Sequence, residues 1–118
     1  LGDVYKRQEL ARKVVESASE KQALDVVMLD LRSVALFADY FVIMSEQSRR
    51  HLQALLEDLA KELKNLGAVP ARVEGTPDSG WVLADFTDVI IHIFGTEERD
   101  YYDLEQFWSE ASQVVRIL

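Results

Sequence analysis

The chain has 118 residues, of which 48% are hydrophobic and 29% charged, a composition typical of one globular domain. It contains no cysteine, which excludes disulfides, thiolate metal sites and cysteine catalysis. Its apolar runs are short, and no charged-then-apolar leader opens the sequence. We therefore expect a soluble, cytoplasmic protein with no membrane partner.

The formal net charge of −8 is concentrated in one part of the chain. Residues 1–73 carry 11 acids and 11 bases, whereas residues 74–110 carry ten acids and one base, Arg99. Such an acidic segment repels phosphate backbones, so we expect no direct nucleic-acid partner. It attracts basic proteins, although an acidic surface is also a common means of staying soluble.

Hydrophobic spacing predicts the elements of the first half in order. A helix begins at Glu9, and residues 1–8 form an N-terminal extension without a clear pattern. Strands follow at residues 23–31 and 40–44. Leucines at helical spacing then predict an amphipathic helix over residues 48–66, capped by Ser45 or Ser48 and ended by Gly67.

The second half begins with an edge strand over residues 68–73 and a loop over residues 75–80. Strands at residues 81–86 and 89–94 are separated only by Thr87 and Asp88, which is hairpin spacing. A last helix starts at Thr96, with an apolar face of Leu104, Phe107, Trp108 and Ala111. The order predicts one α/β domain over residues 9–118, a mixed five-stranded sheet with helices packed on it.

The two-residue turn determines which side chains of the hairpin share a face. It pairs Trp81 with Phe94, Leu83 with His92, and Asp85 with Ile90. The opposite face is entirely apolar and belongs to the core. A face with a large aromatic, an acid and a histidine among aliphatic residues is typical of an interface. The alternative is that a helix covers this face and that His92 is a structural histidine.

Motifs for catalysis or metal binding are missing from the sequence. The glycines are scattered, no HExxH is present, and no serine lies in a nucleophile elbow. We therefore expect no catalytic residue, no metal and no cofactor. The competing hypothesis is a nucleotidyltransferase-like or metal-dependent enzyme that uses Asp85 and His92.

Several short motifs resemble a known family when they are taken together. They occur in the order ADYFVI at residues 38–43, Ser48-Arg49, Glu74-Gly75, Trp81 with Asp85, DVIIHIF at residues 88–94, Glu98-Arg99, Tyr102, Leu104-Glu105 and Trp108. In this order and spacing they resemble the ribosomal silencing factor family, also called RsfS or Iojap. The resemblance extends from about Glu9 to Ala111.

This resemblance implies a fold similar to nucleotidyltransferases, without their catalytic motif or activity. It also implies binding to the large ribosomal subunit through its basic ribosomal protein fourteen, on the intersubunit face. A protein bound there blocks joining of the small subunit and represses translation. Members are commonly homodimers. A further alternative is a ribosome-assembly chaperone that binds the free basic protein without affecting subunit joining.

The family's signature residues correspond here to Asp39, Tyr40, Glu74, Trp81, Asp85, His92, Arg99, Tyr102, Glu105 and Trp108. The resemblance implies that Trp81 lies on the partner-binding surface. We predict Trp81 as the apolar anchor, with neighbours Leu83, Asp85 and His92 and an acidic rim of Glu97, Glu98 and Asp100.

Physical reasoning gives some of the other signature residues a role. Arg99 can pair with Glu98, with Asp103, or with an acid across the sheet, and Trp108 suits the core of the last helix. The sequence departs from the family pattern in two places. Glu46-Gln47 replaces a frequent glycine-threonine pair, and Thr87 replaces a frequent turn glycine.

Overall fold

A mixed six-stranded sheet lies at the centre of the computed structural model, which describes residues 2–118, with side chains from Lys6 onward. The helices are α1 (Gly2–Glu20), α2 (Arg49–Asn65), α3 (Thr96–Tyr102) and α4 (Leu104–Phe107). The strands are β1 (Leu24–Asp30), β2 (Tyr40–Glu46), β3 (Arg72–Thr76), β4 (Trp81–Asp85), β5 (Val89–Gly95) and β6 (Ser112–Ile117). A 3₁₀ turn (Pro77–Ser79) joins β3 to β4.

The strand order is β3-β4-β5-β2-β1-β6, in which β2 and β5 are parallel and every other neighbouring pair is antiparallel. This confirms the predicted α/β domain with a mixed sheet. The predicted hairpin register is also confirmed, because Trp81 pairs with Phe94, Leu83 with His92, and Asp85 with Ile90. Thr87 closes the turn at φ 74°, a backbone conformation that favours glycine.

The two long helices cover one face of the sheet. The buried stripe of α2 consists of Leu52, Leu55, Leu59 and Leu63, and it packs with α1 against the apolar residues of β2, β4 and β5. Ser48 caps α2 by accepting a hydrogen bond from the His51 amide at 3.1 Å. The helix ends before Gly67, whose φ of 87° is a left-handed stop. The helix predicted for this segment is confirmed.

The C-terminal part differs most from expectation. The predicted single helix is broken at Asp103, which has φ 47°, and it becomes the short helices α3 and α4. Thr96 lies inside α3, which starts after Gly95 without a side-chain cap. The chain end then forms β6 against β1, a sixth strand that the sequence analysis missed. Arg116 of β6 holds this edge by pairing with Asp25 at 2.8 Å.

Two boundaries also shift. Helix α1 begins at Gly2 rather than at Glu9, so it includes most of the segment that was predicted to be an extension. Strand β3 occupies residues 72–76 rather than 68–73, and the predicted loop after it contains the end of β3 and the 3₁₀ turn. Among the described residues, no helix is both long enough and apolar enough to cross a membrane.

Candidate functional site

Aromatic side chains collect on the sheet face that α1 and α2 leave uncovered. The ring of Trp81 stacks on Phe94 at 5.0 Å between centroids and lies 4.7 Å from Tyr102 of α3. With Glu74, Ser79 and Leu83, the rings of Trp81 and Tyr102 line a shallow groove of about 300 Å³. We call Glu74, Ser79, Trp81, Leu83 and Tyr102 the Trp81 surface. The half-buried indole is supported from below and open above.

His92 supplies part of that support. Its side chain is only 3% exposed, and its Nδ1 accepts a hydrogen bond from the Trp81 Nε1 at 3.2 Å. The edge of the ring meets Phe41 at 4.5 Å, and Nε2 has no hydrogen-bond partner. Burial lowers the pKa of His92 to about 3, so the imidazole stays neutral and carries its proton on Nε2.

His92 was predicted as a partner-binding residue, and its burial corrects that expectation. The ring lies beneath the surface because β5 is the third strand of the sheet and is covered on both faces. Its hydrogen bond to Nε1 orients the indole of Trp81. This corresponds to the alternative of a structural histidine.

Asp85 is likewise engaged within the protein. Its carboxylate accepts hydrogen bonds from the Thr87 amide at 2.7 Å and from the Arg72 Nε at 3.2 Å. It therefore holds the hairpin turn and ties the edge strand β3 to β4. Asp85 is engaged by Arg72 and Thr87, and the unpaired Nε2 of His92 is buried, so the geometry does not bring the two side chains to the shared substrate position that the enzyme hypothesis requires.

Arg99 connects the C-terminal helices to the sheet. It is 7% exposed and pairs with Glu105 at 3.2 Å and with Asp25 at 3.6 Å. It also donates to the backbone carbonyl of Asp25 and to the Ser45 Oγ. The sequence offered three kinds of partner for Arg99. The acid across the sheet is confirmed in Asp25, and neither Glu98 nor Asp103 pairs with Arg99. The arginine fixes α3, and with it the position of Tyr102.

The predicted acidic rim separates into two kinds of residue. Glu97 and Asp100 are exposed on α3. Glu98 instead pairs with Arg49 at 3.3 Å, and this hydrogen-bonded partner lowers the pKa of its carboxyl group. The carboxylate packs against Gly80, where an added Cβ would collide with it. Glu98 therefore has a structural role, and Glu97 and Asp100 remain as the exposed acidic rim.

The remaining signature residues are structural in their contacts. Asp39 forms an ion pair with Arg7 at 2.6 Å. Tyr40 is fully buried, with its ring beneath the guanidinium of Arg32. Trp108 packs edge-on against Phe41 at 5.9 Å, so it belongs to the core of this face, as its position in the last helix predicted.

An apolar feature that the sequence did not predict lies at the other end of this face. Leu36 and Phe37 lie exposed on the loop before β2, and Phe37 contacts Trp108 at 5.6 Å. Phe107, which was predicted for a helical core, is 77% exposed because α4 ends there. Two consecutive large apolar residues between two predicted strands were the available signal for Leu36 and Phe37.

These arrangements define a class of protein before any name is attached. The described residues contain no group of three or more histidine, cysteine, aspartate or glutamate side chains that could hold a metal ion. They do contain a stacked, half-buried tryptophan next to exposed acids. Anchors of this kind are typical of surfaces that bind another protein. The fold and the site thus define a small α/β protein with a partly exposed aromatic surface.

Comparison with known proteins agrees with this class and gives the family. The family model described as ribosomal silencing factor during starvation matches residues 5–117. The chain is 37% identical over 107 residues to the ribosomal silencing factor RsfS of Halalkalibacterium halodurans, covering 91% of this chain and 92% of that protein. It therefore belongs to the ribosomal silencing factor family.

A solved structure and a more distant relative extend the comparison. A crystal structure of a Chromobacterium violaceum protein superposes with a TM-score of 0.82 at 28% identity, covering 92% of each chain. The mouse protein named mitochondrial assembly of ribosomal large subunit protein 1 is 31% identical. That match covers 84% of this chain and 45% of the mouse protein. The first likeness agrees with the fold described above.

Proposed function

We propose that this protein binds the large ribosomal subunit through its basic ribosomal protein fourteen and blocks joining of the small subunit. The observation that carries the proposal is the Trp81 surface, an aromatic anchor preorganised by His92 and Phe94. A rigid anchor loses little conformational freedom on binding, which favours affinity. A protein that represses translation by occupying this position needs bulk at the interface and no catalytic group. We propose that it is not an enzyme.

Charge supports a basic partner. Glu97 and Asp100 project from α3, the helix that also carries Tyr102, and Glu74 lies on the groove itself. These carboxylates complement lysine and arginine side chains and disfavour a phosphate backbone. We accordingly propose contact with protein rather than with ribosomal RNA, in the cytoplasm, and a homodimer as the free form.

The principal test is co-sedimentation with purified large subunits across a salt series. We expect the native protein to pellet with the subunit and to lose binding as salt rises, because rim charges are screened. Replacing Trp81 with alanine should weaken binding by about 2 kcal/mol or more, the loss typical of a central aromatic anchor. Leu66→Ala is the matched control, since Leu66 is an exposed apolar residue at the end of α2.

The proposal fails if the native protein stays in the supernatant at low salt, or if Trp81→Ala pellets as well as the native protein does. A second measurement examines the rim. Asp100→Asn should mainly slow association with the subunit in stopped-flow experiments, and Glu98→Gln should affect stability more than association. The reason is that Glu98 is already paired with Arg49.

The name of the mouse relative favours a second candidate, a role in assembly of the large subunit. A chaperone of this kind binds the free basic ribosomal protein and leaves subunit joining unaffected. Light scattering during association of purified subunits separates the two functions. Inhibition of joining by the native protein, with no inhibition by Trp81→Ala, supports the silencing function. Unchanged joining together with binding to the free ribosomal protein supports assembly.

A further inference from the structure

A polar cleft lies outside the Trp81 surface and shares no residue with it. It forms where β2 ends, between the end of α1 and the first turns of α2, and its volume is about 410 Å³. Leu24 and Leu55 provide apolar wall, and the charged or titratable lining residues are Lys21, Glu46, His51 and Asp58. Neither the fold nor the proposed ribosome contact explains this concentration of polar groups.

Glu46 is the unusual member of the cleft. It follows Val42 and Met44 at the alternation of a strand, so it lies on the face that the long helices cover. Glu46 is only 9% exposed, yet no hydrogen bond or ion pair joins its side chain to any described residue. The carboxylate lines the cleft, and a partly desolvated carboxylate of this kind is stabilised by a charged hydrogen-bond donor.

The neighbours do not neutralise this carboxylate. The ammonium of Lys21 is already occupied, because it donates to Glu62 and to the Ser17 Oγ at 3.1 Å. Asp58 adds a second negative charge at the cleft. Desolvation raises the pKa of Glu46, and the charge of His51 opposes this shift only in part. The cleft therefore contains a partly desolvated carboxylate that has no ion-pair partner among the described residues.

The lining selects among cations. The described residues offer no cluster of three ligating side chains that could hold a metal ion, so the donor set is too sparse for a divalent metal. An alkylammonium or guanidinium group needs less: one carboxylate to accept its N–H donors, a second acid nearby, and apolar wall for its carbon stem. All three are present.

We propose that this cleft binds an organic cation, a primary alkylammonium or guanidinium group, with Glu46 as the buried acceptor and Asp58 as the outer one. The same chemistry is carried by free small amines and by the lysine or arginine side chains of a partner protein. Because the cleft lies outside the Trp81 surface, this inference stands or fails independently of the proposed ribosome contact.

The test is titration of the isotopically labelled protein with propylammonium and methylguanidinium chloride, followed by amide shifts in NMR spectra. We expect saturable shifts at residues 46–58 with at least one probe, and none with uncharged propanol. Glu46→Gln keeps the side-chain shape and should weaken binding about tenfold or more. Glu57→Gln is the control, because Glu57 is an exposed acid of α2, next to Asp58, that does not line the cleft.

Asp58→Asn provides a second variant at an exposed position, where folding is not at risk, and it should weaken binding severalfold. The proposal is overturned if neither probe gives saturable shifts, if Glu46→Gln binds as tightly as the native protein, or if Mg²⁺ alone shifts these residues. Titration with spermidine and with blocked lysine and arginine amides distinguishes the two sources. Response to the amides assigns the cleft to basic side chains, and response to spermidine alone assigns it to free amines.

Discussion

The two faces of the sheet are built by different means. On one face, the long helices α1 and α2 seal an aliphatic core in which α2 contributes four leucines. On the other, the cover consists of the short helices α3 and α4 and a loop, and aromatic rings pack among the aliphatic residues. Long amphipathic helices bury the apolar residues that they cover. Short ones leave rings half-covered, and this is where the Trp81 surface arises.

The faces also differ in how they are held together. The helix-covered face relies on apolar burial, which is non-directional and tolerant of small shifts. The aromatic face depends on one buried arginine, Arg99, and on one hydrogen bond between Trp81 and His92. Directional contacts preorganise a surface for a partner, at the risk that a single substitution disorganises it. Four substitutions or conditions test this contrast.

The largest expected effect is at Arg99. Arg99→Met leaves Glu105 and two backbone carbonyls without their donor, and breaking a buried pair in this way costs about 3–5 kcal/mol. The measurement is the free energy of unfolding in urea. Arg32→Met is the control, because Arg32 pairs with Asp30 at an exposed site, where solvent screens the ion pair, and its loss should be much smaller. Equal losses for the two variants would remove the special role of Arg99.

A core truncation examines the opposite face. Leu59 is 2% exposed, and Leu59→Ala should lower the free energy of unfolding by about 2–5 kcal/mol through lost burial and a residual cavity. Binding to the large subunit should remain unchanged under conditions where the variant is folded. If binding fell as it does for Trp81→Ala while the fold stayed intact, the two faces would not be functionally separate.

The pH dependence of stability follows from His92. Burial depresses the folded-state pKa of His92 to about 3, below its unfolded value of 6.5, so the unfolded chain binds the proton first as pH falls. The contribution of the neutral ring is complete above about pH 6.5 and decreases towards pH 3. Between pH 7 and pH 5 the loss should be about 2 kcal/mol.

His92→Gln removes this titration and makes the measurement specific. Urea unfolding at pH 7 and at pH 5 should show a smaller decrease for the variant than for the native protein. Parallel decreases would mean that His92 is hydrated and titrates normally.

The smallest effect is expected at the hairpin turn. Thr87 has φ 74°, where a β-branched residue is strained, so Thr87→Gly should raise the free energy of unfolding by about 1 kcal/mol. Thr87→Ala retains a Cβ and serves as the comparison, with a smaller change expected. A destabilised glycine variant would show that the contact of the Thr87 amide with Asp85 depends on the threonine side chain.

The prediction from sequence succeeded where the determining interactions are local. The leucine spacing of α2 and the two-residue connection of the hairpin each specify their geometry within a few residues, so the helix and the register of Trp81 against Phe94 are confirmed. The position of Trp81 on the face opposite the aliphatic core followed from the same register. The register did not show whether other elements cover that face.

Long-range contacts decided the rest. Asp103 adopts a left-handed conformation that breaks the expected helix, and β6 forms because the free edge of β1 pairs with the chain end. Arg99 meets the Asp25 carbonyl across 74 positions of sequence, a partner that no local pattern indicates. The cleft at Glu46 exists only because two helices close over the end of β2. The periodicity of the sequence therefore determined the main helices and strands of this protein and the faces of its sheet. Packing between distant segments decided which polar groups are buried, paired or left exposed, because burial depends on what covers a residue.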